Sequence, residues 1–138
     1  MALPARLFCD TSFFYACLDP HDTNHDRAEE LTDEAATSAT TFFTTWDVVS
    51  ETVTLLRYRI GFRPAVTFLE EVKPDLTIVE YGQRVRDEAE HIFRRRSRSR
   101  RVSFCDAISF VVVTSRLNGM PCLAFDRDFR ALGLTVIS

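Results

Sequence analysis

The chain has 138 residues, 46% of them apolar and 12 of them Phe, with a formal net charge of −3. That is long enough for one domain with a buried core and too apolar for a disordered segment. The charge alone selects neither a polyanion nor a polycation as partner, and the longest uncharged apolar run, Ala107–Ser115, is far short of a membrane span.

The average hides an asymmetry. Arg94, Arg95, Arg96, Arg98, Arg100 and Arg101 fall in one short stretch, and setting these six aside leaves −9 on the rest of the chain. Cys9, Cys17, Cys105 and Cys122 form no CxxC pair, and three of them lie in apolar runs, so a reduced, cytoplasmic setting is expected. The opening MALPARLFCD reaches a charge and then a turn too soon for a signal peptide.

Taken in order, Ala5–Cys9 reads as an apolar strand ending at Asp10. A turn at Thr11–Ser12 and a short apolar helix or loop over Phe13–Leu18 follow, stopped by Asp19-Pro20. Thr23 or Asn24 is placed to cap a helix over His25–Ala36, with Ala28 and Leu31 inward. Ser38–Phe43 predicts a second strand. Thr45–Ile60 predicts a long helix whose inner stripe is Trp46, Val49, Val53, Leu56 and Ile60. Gly61 ends it, and Pro64 suits the first turn of a helix reaching Lys73. Leu76–Val79 predicts a third strand, and Gln83–Arg96 a polar helix with Val85, Ala89, Ile92 and Phe93 inward. Beyond the arginines, Ser103 caps an apolar helix that Gly119 and Pro121 terminate. Cys122–Phe125 predicts a fourth strand, Asp126–Ala131 a brief helical turn, and Leu134–Ile137 an edge strand. This alternation predicts an α/β fold, a central parallel sheet of four or five strands with helices on both faces.

Asp10 and Asp126 stand directly after strands, and Asp106 stands in the first turn of a helix. All three therefore belong at the carboxyl edge of the sheet, where open α/β folds bind ligands. Glu51 lies two turns into the helix after the second strand, at the border of the core. Four carboxylates gathered there raise one another's pKa. Mg²⁺ or Mn²⁺, hard ions that prefer oxygen ligands, makes the cluster favourable. An ion so held activates water and neutralises a phosphate under in-line attack, which points to phosphodiester hydrolysis. Each acid also has a plainer use: Asp10 and Asp126 as turn or cap residues, Asp106 as a favourable charge at a helix N-terminus, Glu51 as a solvated surface residue.

Four segments, FCDTSFFYA, SETVTLLR, SFCDAISFVV and AFDRDF, together resemble the PIN-domain nucleases, and within them the VapC-type ribonuclease toxins. The resemblance covers essentially the whole chain in the expected order. It implies a single PIN-like domain over residues 1–138 and a Mg²⁺-dependent endoribonuclease. Asp10, Glu51, Asp106 and Asp126 would be its catalytic and metal-binding acids. It also implies a cognate antitoxin and a homodimer. Where this chain has Asp128 the family more often has His, so Asp128 stands either as a further ligand or as the start of the short helix.

Thr11 and Ser12 are expected to support the Asp10 turn through side-chain hydrogen bonds. The arginine run joins one helix to the cap of the helix carrying Asp106, beside the acids. There it would bind RNA phosphates and steer a polyanion, or dock an acidic segment of a partner protein. His21, His25 and His91 lack ligand spacing and are expected at the surface. Trp46 and the Phe residues are expected in the core rather than as base-stacking platforms, with Phe13, Phe14 and Tyr15 candidates for a partner groove. Asp126-Arg-Asp128 also suggests an aspartyl-phosphate enzyme. Against this, such a nucleophile follows an early strand, and the only lysine is Lys73. A non-catalytic RNA- or protein-binding module is the remaining alternative.

Overall fold

In the computed structural model, which describes residues 2–98 and 100–138, five short strands form one parallel sheet. They are β1 (Arg6–Cys9), β2 (Thr41–Thr44), β3 (Thr77–Ile78), β4 (Cys122–Leu123) and β5 (Val136–Ile137), in the order β3-β2-β1-β4-β5. β1 takes the centre because Leu7, Phe8 and Cys9 are apolar on both faces and fully buried, as an interior parallel strand requires. Phe8 pairs with Phe43 on one side and Cys122 on the other.

Among the described residues seven α-helices cover the two faces: α1 (Thr11–Leu18), α2 (His25–Thr37), α3 (Trp46–Arg59), α4 (Phe62–Thr67), α5 (Gln83–Arg96), α6 (Phe104–Arg116) and α7 (Arg127–Ala131). Because every strand pair is parallel, α1, α3 and α7 all begin at one edge of the sheet. The apolar helix α6 buries Ala107, Ile108, Val111, Val112 and Val113, and α5 packs on it through Val85, Ala89 and Ile92. It ends where Asn118 (φ 54°) and Gly119 (φ 73°) turn left-handed, a conformation that costs glycine nothing. The Gly119 N–H donates back to the Val113 carbonyl at 2.9 Å.

Several expected boundaries move. Thr11 and Ser12 are the first residues of α1 rather than a separate turn, with Asp10 as its cap. β2 begins at Thr41 rather than Ser38, because Ser38 closes α2 with its N–H on the Glu34 and Ala36 carbonyls. Asn24 holds the α2 cap position without a side-chain cap bond. α4 starts at Phe62 and continues through a π turn (Phe68–Val72) and a 3₁₀ turn (Lys73–Asp75). β3 and β4 are each two residues long.

The inner stripe of α3 is also rotated from its expected phase. Val48, Val49, Thr52 and Leu56 are buried, while Trp46 is 60% and Ile60 40% exposed. Thr52 tolerates burial because its hydroxyl donates to the Val48 carbonyl at 2.7 Å. Phe93 is likewise not inward: its ring meets Phe104 edge-on at the surface, centroids 5.6 Å apart. Phe13, Phe14 and Tyr15 are buried, and of the three Tyr15 reaches the wall of a cavity that Asp10 also lines. His25 is half-buried, with Nδ1 2.6 Å from the Ala16 carbonyl, whereas His21 and His91 are exposed. The four cysteines are free thiols, and among the described residues no helix is long and apolar enough to cross a membrane.

Candidate active site

Asp10 is the hinge between β1 and α1. Its carboxylate caps α1 by accepting from the Ser12 N–H at 3.2 Å, and it accepts the Ser12 hydroxyl at 2.8 Å. That hydroxyl in turn accepts the Phe125 N–H at 2.9 Å, and the Asp10 N–H donates to the Leu123 carbonyl. One serine thus ties the carboxyl ends of β1 and β4 together and fixes the Asp10 side chain between them. Asp10 is 3% exposed. Burial, and then the neighbouring Asp106, push its pKa up from 3.8 to about 7 against the lowering effect of the Ser12 and Thr11 hydrogen bonds.

Asp106 arrives from the other side. Ser103 caps α6 by accepting the Asp106 N–H, and the Asp106 carboxylate accepts the Ser103 N–H, both at 3.0 Å. This is a reciprocal capping box, so the structural use of Asp106 is real. It does not account for the burial: an exposed acid caps as well, yet Asp106 is only 5% exposed. Burial first, with Asp126 and Glu51 adding repulsion, raises its pKa to about 6.

Both acids open into one cavity of about 440 Å³, which Glu51 and Asp126 also line. The four sequence-predicted acids therefore line one cavity. Asp126 caps α7 by accepting the Asp128 N–H at 2.9 Å. Asp128 is not in the cavity lining; its pKa is raised by partial burial and by Asp126, and held down by Arg100 and Arg101 nearby. Thr11 supports Asp10 through its backbone N–H only. Its buried hydroxyl finds no hydrogen-bond partner among the described residues, so the expected side-chain support from Thr11 is absent and Ser12 supplies all of it.

Neither Asp10 nor Asp106 has a cationic group within ion-pair distance among the described residues. An oxygen-only set of this kind suits a hard divalent ion. As placed, the acids stop short of a ready cage: among the described residues no three His, Cys, Asp or Glu side chains stand close enough to hold an ion together.

The arginine run divides. Arg101 lines the cavity, while Arg94, Arg95 and Arg96 lie on the last turn of α5, where Arg94 faces Glu90 at 3.8 Å. Arg98 and Arg100 are exposed in the connection, and Ser99 lies outside the described residues. A second arginine in the wall, Arg59, was not among the sequence candidates. It stands over the Tyr15 ring at 5.3 Å. The available signal was spacing: Glu51, Leu55 and Arg59 are four residues apart on one face of α3, and all three line the cavity.

The PIN-domain family model matches residues 7–134, which runs from within β1 to beyond α7. The chain belongs to the PIN-domain family. Among PIN proteins it is 33% identical over 132 residues to the 23S rRNA-specific endonuclease VapC20 of Mycobacterium tuberculosis, covering 95% of this chain and 97% of that protein. The crystal structure of that VapC20, described as a sarcin–ricin loop cleaving toxin, superposes with a TM-score of 0.80 at 31% identity, over 94% of this chain and 96% of the other. FitAcB from Neisseria gonorrhoeae shares the fold at a TM-score of 0.70 and 12% identity, over 96% of both chains. The parallel five-stranded sheet with its acid-lined carboxyl edge is thus a PIN fold of the VapC type.

Proposed function

We propose that this PIN protein is a metal-dependent endoribonuclease, the toxin of a toxin–antitoxin pair, that hydrolyses a phosphodiester in a structured RNA. The observation that carries the reading is a pair of nearly dry carboxylates, Asp10 and Asp106, with no cationic partner among the described residues, in a cavity that Arg59 and Arg101 also line. Asp10 and Asp106 would hold Mg²⁺ or Mn²⁺ together with Glu51 and Asp126, which line the same cavity. When bound, the ion supplies an activated water and neutralises charge on the phosphate under attack.

The protein's own residues do the rest. Ser12 fixes the Asp10 carboxylate, and Ser103 fixes that of Asp106. Arg59 and Arg101, which line the same cavity, bind the phosphates of the RNA. The raised pKa values mean that metal binding releases protons near neutrality. The endonuclease activity and rRNA target named for VapC20 support a ribosomal stem–loop as substrate class. An antitoxin and a second copy of this chain are the proposed partners, in the cytoplasm.

The test is cleavage of an RNA stem–loop carrying the sarcin–ricin sequence, in EDTA, Mg²⁺ and Mn²⁺. Cutting is expected only with a divalent ion. Asp10→Ala and Asp106→Ala are each expected to lose at least ~10³-fold in rate, a barrier increase of several kcal/mol. Variants that cut as well as the parent sink the reading.

A further inference from the structure

A second cavity, of about 320 Å³, adjoins the acids. Trp46 and Phe104 stand in its walls, and Glu51 belongs to both cavities. Its size falls at the low end of small-ligand clefts. Both aromatics are first residues of helices, α3 and α6. The core does not need them: Trp46 is 60% and Phe104 44% exposed.

The charge around the cleft distinguishes it from an ordinary apolar patch. Lys73, the only lysine, stands 5.8 Å from the centre of the Trp46 ring. On the other side Phe104 meets Phe93, which directly precedes Arg94, Arg95 and Arg96 at the end of α5. The interior holds acids instead, and the Asp47 carboxylate is already engaged by the Tyr81 hydroxyl. Cations outside and aromatic walls inside match a ligand whose flat part is uncharged and whose backbone is anionic. Single-stranded nucleic acid is bound in this way, by aromatic stacking beside a cationic track.

We propose that the cleft between Trp46 and Phe104 receives an unpaired RNA base next to the nucleotide held at the acid cavity. The inference rests on the RNA-cleaving reading above and adds a base-binding subsite to it. The route between the two positions runs past Glu51, which faces both.

Trp46 is the only tryptophan, so its emission reports on this one side chain, which also borders a cavity towards Tyr81 and Arg86, and the Phe104 variant assigns a change to the cleft. The Asp10→Ala protein in Mg²⁺ is titrated with a single-stranded RNA decamer, with an abasic decamer of the same length, and with polyphosphate. Saturable quenching by the base-bearing RNA alone is expected, and Phe104→Ala is expected to weaken that binding about ten-fold. Fluorescence anisotropy of labelled RNA is expected to show a similar loss for Trp46→Ala and partial recovery for Trp46→Phe.

Equal quenching by abasic RNA or polyphosphate overturns the subsite, as does parental RNA affinity in Trp46→Ala. Emission that tracks protein concentration and ignores RNA assigns the face to a second copy and also overturns it. Cleavage separates the two readings. A parent that cuts RNA while Trp46 stays silent retains the nuclease and loses the subsite. A parent that never cuts while bases quench Trp46 does the reverse.

Discussion

Asp10 and Asp106 share a cavity with Glu51 and Asp126, but the two pairs are held differently. Asp10 and Asp106 are 3% and 5% exposed, and each accepts its hydrogen bonds within a capping arrangement that fixes its direction. Glu51 and Asp126 are half-buried. Asp126 accepts a single N–H at the head of a five-residue helix. The first pair is fixed in direction by these hydrogen bonds, at a cost in stability whenever both are ionised. The second pair sits on surfaces free to adjust. A fold that places two acids rigidly and two loosely is prepared for a ligand that arrives with its own water.

The largest expected effect tests that cost. A carboxyl whose folded pKa is raised holds its proton more tightly folded than unfolded, so it favours the fold at low pH and loses that contribution as pH rises. For Asp10 the window runs from the unfolded value, 3.8, to the folded one, about 7. At ~1.4 kcal/mol per unit this is on the order of a few kcal/mol. Urea unfolding in EDTA should therefore find Asp10→Asn more stable than the parent at pH 8, with the difference closing towards pH 4. Asp106→Asn should show the same trend over a narrower window, ending at about 6. Glu51→Gln should change stability by less than ~0.5 kcal/mol at either pH. A destabilised Asp10→Asn at pH 8 would make the carboxylate a structural group and erase the contrast between the pairs.

Ser12 is the next point of attack, because the rigid pair depends on it. Ser12→Ala leaves the half-buried Phe125 N–H without its acceptor, a loss of ~1–3 kcal/mol, and removes one of the bonds that lower the Asp10 pKa. Metal affinity, measured by calorimetry, should fall about 10–100-fold, as for other groups that orient a ligand. Ser12→Thr, which keeps the hydroxyl, should recover most of both. Unchanged affinity in Ser12→Ala would mean that Asp10 needs no orienting.

The sequence exposes the rigid pair far better than it exposes what braces it. Asp10 and Asp106 are legible because strand ends and helix caps are local patterns, and Ser103 announces α6 three residues before its acid. The sheet is legible for the same reason: β1 and β4 are apolar on both faces and too short to be anything else. The link from Ser12 to Phe125 crosses 113 positions, and no local signal predicts it. Trp46 and Thr52 mislead in opposite directions. A hydrophobic stripe counts Trp46 as core and Thr52 as surface, yet a hydroxyl bonded within its own helix buries readily, while a helix-start tryptophan has no core to enter. Arg59 is missed because the residue that marks its face of α3 is Glu51, two turns away and itself the least conspicuous of the four acids.

The smallest effects belong to the arginines, and they sharpen the looser half of the comparison. Arg101 lines the cavity, and it and Arg100 act on Asp128, beside Asp126. Arg94, Arg95 and Arg96 lie on the end of α5, where the Arg94–Glu90 pair is well exposed and contributes little to stability. If RNA passes over the adjustable side of the cavity, the double change Arg100→Gln, Arg101→Gln should flatten the plot of log affinity against log salt by about 1.4, the value for two phosphate contacts on a single strand. The triple change on α5 should flatten it by less per arginine removed, with both variants folding as the parent does. An equal loss per arginine across the run would mean that RNA lies along the whole segment and that proximity to Asp126 confers no advantage. Retained slopes in both variants would take the run out of the RNA path and leave it for an acidic partner.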